Sequence, residues 1–135
     1  RGAASLSVAM EFETTGSANA RRAFANDQVF ITVMLETGRA FDDLDAIAAM
    51  DGIDGLTVGP ADLAQDIGVF GKPEQSAAPA KKRDPVLGPG KKHGKACAML
   101  VSSTAEAKKW KDAGALLLAY SSDAEMLLSG FSRAM

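Results

Sequence analysis

Cysteine occurs once in these 135 residues, histidine occurs once, and neither sign of charge dominates, with 15 basic and 17 acidic side chains giving a net charge of −2. A lone cysteine excludes an internal disulfide, so the fold must hold by burial, and a reducing, cytoplasmic setting is the expectation. Cys97 itself lies in the apolar run from Ala96 to Val101 and reads as a small core residue. Balanced charge supplies no broad positive field for a phosphate backbone, which argues against nucleic acid as a partner. No apolar stretch approaches the roughly 18 residues of a spanning helix, and the N-terminal residues lack a signal-peptide pattern, so no membrane role is expected. What is present is 47% apolar and 24% charged residues, enough for one modest globular domain with a real core. The sequence opens at Arg1 rather than at a methionine, from which an upstream portion is expected.

Strand and helix patterns alternate along the chain. Asn19 to Gln28 has helical character, and "QVFITVML", Gln28 to Leu35, is rich in β-branched and bulky residues, as a strand covered on both faces should be. From Arg39 to Met50 the apolar residues Phe41, Leu44, Ile47 and Ala48 recur three and four apart, an amphipathic helix that turns Asp42, Asp43 and Asp45 away from the core or toward its own positive end. "DGIDG" is turn chemistry leading into a short strand, Leu56 to Val58. Lys95 to Val101 reads as a third strand. The capping-box pattern of Ser103 and Glu106 then opens a helix to about Asp112, with Gly114 placed to end it. "ALLLAY", Ala115 to Tyr120, is a fourth strand, and Ser122 with Glu125 repeats the cap signature before a last helix through Met126, Leu127 and Phe131.

Four such units predict parallel βα architecture, either a doubly wound sheet or a barrel. Between Glu74 and Lys92 the breakers Pro79, Pro85, Gly88, Pro89 and Gly90 predict a broken or partly disordered helix. Four parallel strands alone would leave two unpaired edges, so the architecture reads as half of a larger one.

Ligands of parallel α/β folds gather where strands end and βα loops converge. Glu36 closes the first strand and Asp62 follows the second, in "GLTVGPADL". Adjacent parallel strands lie roughly 4.8 Å apart, so carboxylates at the same ends can reach one ion. Two carboxylates without cysteine or histidine make a hard, all-oxygen site suited to Mg²⁺, with Mn²⁺ or Co²⁺ as alternatives and zinc disfavoured. The rival readings are local: Asp62 as the N-cap of a helix from Leu63 to Ile67, and Glu36 in a salt bridge with Arg39. Gly59 and Pro60 add weight to a ligand loop, because glycine lets a ligand approach the backbone and the amides after it can hold a carboxylate or phosphate. His93, ahead of the third strand, falls at the opposite end and reads as a solvent-exposed helix-end residue. Tyr120, Ser121 and Ser122 read as a polar strand terminus and cap, or as pocket lining. Lys81, Lys82, Arg83, Lys91 and Lys92 read as a solvated face, with phosphate recognition the rival.

The run "MLETGRAFDDLDAIAAMDGIDGLTVGPADLAQDIGV", Met34 to Val69, resembles the metal-binding core of the HpcH/HpaI aldolase/citrate lyase family, the class II pyruvate-dependent aldolases. "KKHGKACAML", "AGALLLAYSSD" and the "RG" of Arg1 and Gly2 extend the likeness over essentially the whole sequence. The resemblance implies the C-terminal half of a (β/α)8 TIM barrel, with a lead-in loop and helix in residues 1–28 and strands five to eight in residues 29–135. It implies that Glu36 and Asp62 ligate a divalent metal and that Gly59, Pro60, Ala61 and Asp62 bind substrate, the amides of Ala61 and Asp62 holding a pyruvate carboxylate. The implied reaction cleaves a 4-hydroxy-2-oxo acid to pyruvate and an aldehyde through a metal-stabilised enolate, without a lysine Schiff base. Implied partners are these small molecules, an N-terminal half-barrel carrying the family's arginine and histidine-aspartate pair, and further copies in a homo-oligomer, trimeric or hexameric. Trp110 then reads as a packing residue or a subunit contact, and position 64 carries Ala where the family commonly has serine. A non-catalytic binding or assembly module is the alternative.

Overall fold

Runs of β-branched and bulky apolar residues form four short strands, β1 (Thr32–Leu35), β2 (Gly55–Val58), β3 (Ala96–Val101) and β4 (Leu117–Tyr120). All neighbours pair in parallel, in the order β1-β2-β3-β4. With right-handed crossovers, an order that never reverses puts every connecting helix on one face of the sheet. That is the arc of a barrel; a doubly wound sheet reverses direction at a switch point.

The computed structural model describes residues 17–134. The chain divides after Phe30 into two units. In the first, α1 (Ala18–Gln28) starts at Ser17, whose hydroxyl accepts the Ala20 N–H at 3.1 Å. The second unit holds the sheet and the remaining helices.

Side chains alternate across a strand with a period of two, and the core obeys that rule. Leu35, Leu56, Val58, Cys97, Met99 and Val101 are buried on one face, together with Leu44, Ala48, Leu63, Val86 and Trp110 from the helices. The opposite face carries the register row Met34, Thr57, Ala98 and Leu117. It is open at the outer strands, where Met34 is 52% exposed and Leu117 43%, whereas Thr57 and Ala98 between them are buried. The expectation of a doubly covered first strand is therefore corrected, since β1 is covered on one face only. β1 is also shorter than predicted. The helix α1 runs to Gln28, and β2 offers no rung before Gly55, the partner of Thr32. Asp54 holds the approach instead: its N–H and that of Gly55 donate to the Ile31 carbonyl at 2.8 and 3.0 Å, and its carboxylate accepts the Ile31 N–H at 2.7 Å.

The predicted helix after β1 is two helices, α2 (Gly38–Asp42) and α3 (Leu44–Ala48). The backbone leaves helical geometry at Asp43 (φ −95°, ψ 10°), which pairs with Arg39 at 3.7 Å. Aspartate competes for local hydrogen bonds and favours caps over helix interiors, and here two aspartates are consecutive. After β2 comes α4 (Pro60–Asp66). The breaker-rich segment is divided, as predicted, into α5 (Ala77–Ala80) and α6 (Asp84–Lys92), but α6 continues through Gly88 and Pro89 without disorder. Pro85 sits in the first turn, where a missing N–H costs nothing. Gly90 lets α6 lie against β3, since a Cβ there would run into Cys97 Sγ and come within 3.3 Å of the Lys95 carbonyl. Cys97 is buried as expected, and that burial pushes its thiol pKa up. α7 (Thr104–Asp112) begins at Ser103, and Gly114 (φ 102°) follows its C-terminus, as read from the sequence. α8 (Asp123–Ala134) closes the described unit. No described helix is long and apolar enough to cross a membrane.

Two expectations about charge are corrected. His93 caps the end of α6 but is not solvent-exposed: 21% of its side chain is accessible, and Nε2 lies 3.0 Å from Asp45 Oδ1. Lys92 donates to both oxygens of the same carboxylate at 2.9 Å. Hydrogen bonds from Lys92 and then His93 hold the Asp45 carboxyl below its usual value of 3.8. Arg83 is likewise not part of a solvated face. It bonds Glu106 at 2.7 Å, donates to the Leu100 carbonyl, and lies 4.8 Å from the centre of the Trp110 ring. A guanidinium can stack on an indole while satisfying a carboxylate, which draws this arginine inward. Trp110, 2% exposed, is the packing residue expected.

Replacing Gly90 by alanine should destabilise the fold by about 1–3 kcal/mol through overpacking. Urea unfolding checks this through a lowered midpoint at unchanged slope. Adding Cys97→Ala to Gly90→Ala should recover part of the loss, because it removes the sulfur the new methyl strikes.

Candidate functional site

Four loops follow the C-terminal ends of the strands. The register pairs Leu35 with Val58, the last residues of β1 and β2, so Glu36 and Gly59 emerge side by side. The ladder extends one bond further, from the Gly59 N–H to the Leu35 carbonyl at 3.1 Å. Glycine is required here for space: a Cβ at Gly59 would lie 2.8 Å from Glu36 Oε2 and 2.9 Å from Met34 Sδ. The half-buried Glu36 carboxylate and the Met34 thioether thus both rest against Gly59 at the end of β2.

Gly59 occupies the N-cap position of α4 and Pro60 is the first helical residue, with Ala61 and Asp62 in the first turn. Proline suits that place because its ring presets the helical φ. Amides in a first turn have no intrahelical acceptors, which leaves those of Ala61 and Asp62 facing outward from the helix start. Asp62 is exposed, and its negative charge is favourable near the helix N-terminus. It is not the N-cap of this helix, so that local reading is corrected. The suggested pairing of Glu36 with Arg39 is corrected too, because Arg39 pairs with Asp43. Among the described residues neither Glu36 nor Asp62 has a hydrogen-bond or ion-pair partner. Behind them, Asp66 at the end of α4 accepts the Gly38 N–H at 2.7 Å.

The donor set suits one class of cation. Among the described residues no three or more His, Cys, Asp and Glu side chains gather as a metal cluster. Two carboxylates from adjacent loops are what the protein offers, and Mg²⁺ typically binds one or two carboxylates while water and substrate fill its octahedron. A structural zinc site would need four protein ligands.

The other two loops spend their polar groups on caps. Glu106 accepts from the Ser102 N–H at 3.0 Å and hydroxyl at 3.3 Å, while its own N–H donates to the Ser103 hydroxyl at 3.2 Å. The Ser102 N–H foremost, and then Arg83, hold the Glu106 carboxyl below its usual value of 4.5. After β4, Ser121 adopts a positive φ of 56° and donates to Glu125 at 3.0 Å, and Ser122 accepts the Glu125 N–H at 3.2 Å. The cap reading of Ser121 and Ser122 is the one realised, and Tyr120 stands half exposed beside them. Sequence reasoning missed Asp66 and Met34 and assigned Arg83 to a solvated face. Met34 could have been found by strand alternation, since it lies two residues before Glu36; the other two act across long sequence separations.

The HpcH/HpaI aldolase/citrate lyase family profile matches residues 3–129. A 4-hydroxy-2-oxo-heptane-1,7-dioate aldolase of Salmonella arizonae is 37% identical over 106 residues, covering 78% of this chain and 40% of the relative. A hydroxypyruvate/pyruvate aldolase of Roseovarius nubinhibens is 39% identical over 105 residues, with coverage of 78% and 40%. Among solved structures, an HpcH/HpaI aldolase/citrate lyase family protein from Burkholderia cenocepacia J2315 superposes with a TM-score of 0.75 at 35% identity, over 99% of this chain and 51% of that one. An HpcH/HpaI aldolase from Desulfitobacterium hafniense DCB-2 gives a TM-score of 0.73 at 25% identity, over 92% and 48%. The chain therefore spans about 40% of these curated relatives and half of the solved barrels. Its four parallel βα units are a partial TIM barrel.

The capping carboxylate offers a pH test. A carboxyl whose folded pKa is depressed stabilises the fold fully above its unfolded value, here near 4.5, and ceases to as pH falls through the folded value. Glu106→Gln should therefore lower the urea midpoint at pH 7, and the gap from the parent should narrow at pH 3. An equal gap at both pH values would contradict the assignment.

Proposed function

Because the chain belongs to the HpcH/HpaI aldolase/citrate lyase family, we propose that it furnishes the cation-binding and oxo-acid-binding half of a class II aldolase. The reaction is reversible cleavage of a 4-hydroxy-2-oxo acid into pyruvate and an aldehyde. Both named relatives are aldolases of oxo acids, which supports this substrate class. The observation that carries the reading is the half-buried, unpartnered Glu36 carboxylate held against Gly59, with a second unpartnered carboxylate, Asp62, in the first turn of α4. A half-buried carboxylate gives up part of its hydration, so the lack of a partner for Glu36 calls for an explanation. A shared divalent cation, Mg²⁺ foremost and Mn²⁺ or Co²⁺ in its place, supplies one.

When bound, such a cation supplies Lewis-acid stabilisation of the negative charge that carbon–carbon cleavage leaves on the oxo-acid oxygen. The protein's own contribution is placement. Glu36, just past β1, and Asp62, in the first turn of α4, would hold the cation. Gly59 and Pro60 keep the approach to the loop free of side-chain bulk and donors, and the amides of Ala61 and Asp62 are free to receive the pyruvate carboxylate. Proton transfer must come from elsewhere in the barrel. His93, the sole histidine, is engaged by Asp45 at the opposite end of the sheet. That observation also favours a second reading, a binding or assembly module that retains the cation loop without turnover. The setting we assign is cytoplasmic, consistent with a free buried thiol, and homo-oligomeric, consistent with the exposed Met126, Leu127, Leu128 and Phe131 of α8.

Calorimetric titration with Mn²⁺, with and without pyruvate, tests the site. Glu36→Gln should weaken Mn²⁺ binding by at least about tenfold and abolish the enhancement by pyruvate. Pyruvate release from a 4-hydroxy-2-oxo acid should appear only when the other half of a barrel is supplied, and should vanish with Glu36→Gln. Mn²⁺ binding indifferent to this substitution would overturn the reading, and cation binding without release in a completed barrel would favour the module.

A further inference from the structure

We propose that Asp66 is a positioning residue that sets where the Glu36 carboxylate stands. Between β1 and α2 lie only Glu36 and Thr37. This connection is pinned at both ends by one neighbouring unit, the β2–α4 segment that also carries Asp62. At the near end the Gly59 N–H donates to the Leu35 carbonyl at 3.1 Å, and at the far end the Gly38 N–H donates to Asp66 Oδ2 at 2.7 Å. Thr37 completes the turn, its hydroxyl accepting the Ala40 N–H at 3.2 Å. Glu36 is thus suspended between two hydrogen bonds, the second of them charge-assisted and short.

Local helix energetics do not account for an aspartate at this place. Asp66 is the last residue of α4, where the helix dipole disfavours an anion, and it stands one turn after Asp62, where like charges repel. The long-range bond to Gly38 is what the side chain gains. It also couples the two site carboxylates through a single rigid turn, with Asp62 at one end of α4 and the tether for Glu36 at the other. Gly38 is not needed for space, because a Cβ there would make ordinary contacts of 3.6 Å with Asp66 Oδ2 and 3.7 Å with Ile67 Cγ2. The acceptor oxygen on Asp66 is the essential part.

This inference rests on the cation-binding reading of Glu36, and the experiment separates the two. Amide NMR spectra and Mn²⁺ calorimetry are recorded on the full chain for Asp66→Ala, Asp66→Asn, Asp66→Glu, Gly38→Ala and Glu36→Gln. In Asp66→Ala the amides of Glu36, Thr37 and Gly38 should shift and Mn²⁺ should bind about tenfold more weakly. Asp66→Asn keeps an acceptor in place and should restore both, whereas Asp66→Glu displaces the acceptor and should not. Gly38→Ala should bind Mn²⁺ as the parent does. A merely structural role would lower the melting temperature and leave Mn²⁺ affinity unchanged, which overturns the proposal if Glu36→Gln does weaken binding. If Glu36→Gln has no effect, the cation reading fails, and an unmoved Glu36 amide in Asp66→Ala would overturn the positioning role by itself. Should Asp66→Ala not fold, the order of Asn above Glu decides, and the reverse order refutes the inference.

Discussion

Register is the constraint on which the rest depends. Because Thr32 pairs with Gly55 and Leu35 with Val58, the strands β1 and β2 end level, and the two residues that follow emerge together. A slip of one residue would turn Leu35, Leu56 and Val58 from the helix-covered face to the open one, so the buried core enforces the pairing that aligns the rim. The same rule carries through β3, where Cys97, Met99 and Val101 face the helices. Core packing and site geometry are consequences of one alternation.

The two ends of the sheet are treated differently by the chain. At the N-terminal end polar groups are satisfied: Lys95 donates to the carbonyls of Met50 and Ile53 at 3.0 and 2.8 Å, Asp54 holds Ile31, and Asp45 gathers Lys92 and His93. At the C-terminal end β3 and β4 are followed by satisfied caps, yet Glu36 and Asp62 remain without partners among the described residues. In barrels of this kind the N-terminal face serves stability and the C-terminal face chemistry. Local rules of satisfaction are relaxed where function needs an available group.

Much of this was legible in the sequence where the determining signal is local. Four strands, the Ser103 and Ser122 caps, the glycine after α7 and the burial of Cys97 all follow from periodicity or from spacings of three or four residues. The family likeness rested on contiguous runs around Glu36 and Asp62 and extended to the half-barrel. Illegible features depend on partners distant in the chain. β1 starts late because β2 has no earlier rung, which no propensity of Phe30 or Ile31 reveals. Arg83 turns inward because Trp110 and Glu106, two dozen residues on, offer it a ring and a carboxylate. His93 looked exposed beside two lysines and a glycine, but Asp45 meets it from another helix. Pro89 looked like a helix breaker; packing of Gly90 against Cys97 accompanies a helix that propensity alone would end.

The division between an engaged end and an available end bears on how binding and turnover relate. Both candidate ligands and both amides of the α4 start lie just past one pair of adjacent strands, so the cation and carboxylate binding we propose would need only the register of β1 with β2 and the start of α4. The turnover we propose would need a proton-transfer group on the same rim, and the sole histidine of this sequence is tied to Asp45 at the far end. Meanwhile Met34, Leu100 and Leu117 leave the inner face of the sheet partly open to water, a surface that closure of the barrel would remove from solvent. Closing that face would also lower the effective dielectric around Glu36, which lies with Met34 against Gly59. An arc that bound the proposed cation in water would, on closure, hold the same charges in a drier setting where their attraction is stronger. On the proposed reading, affinity would belong to the arc and chemistry to the closed barrel, with Glu36 and Asp62 serving both.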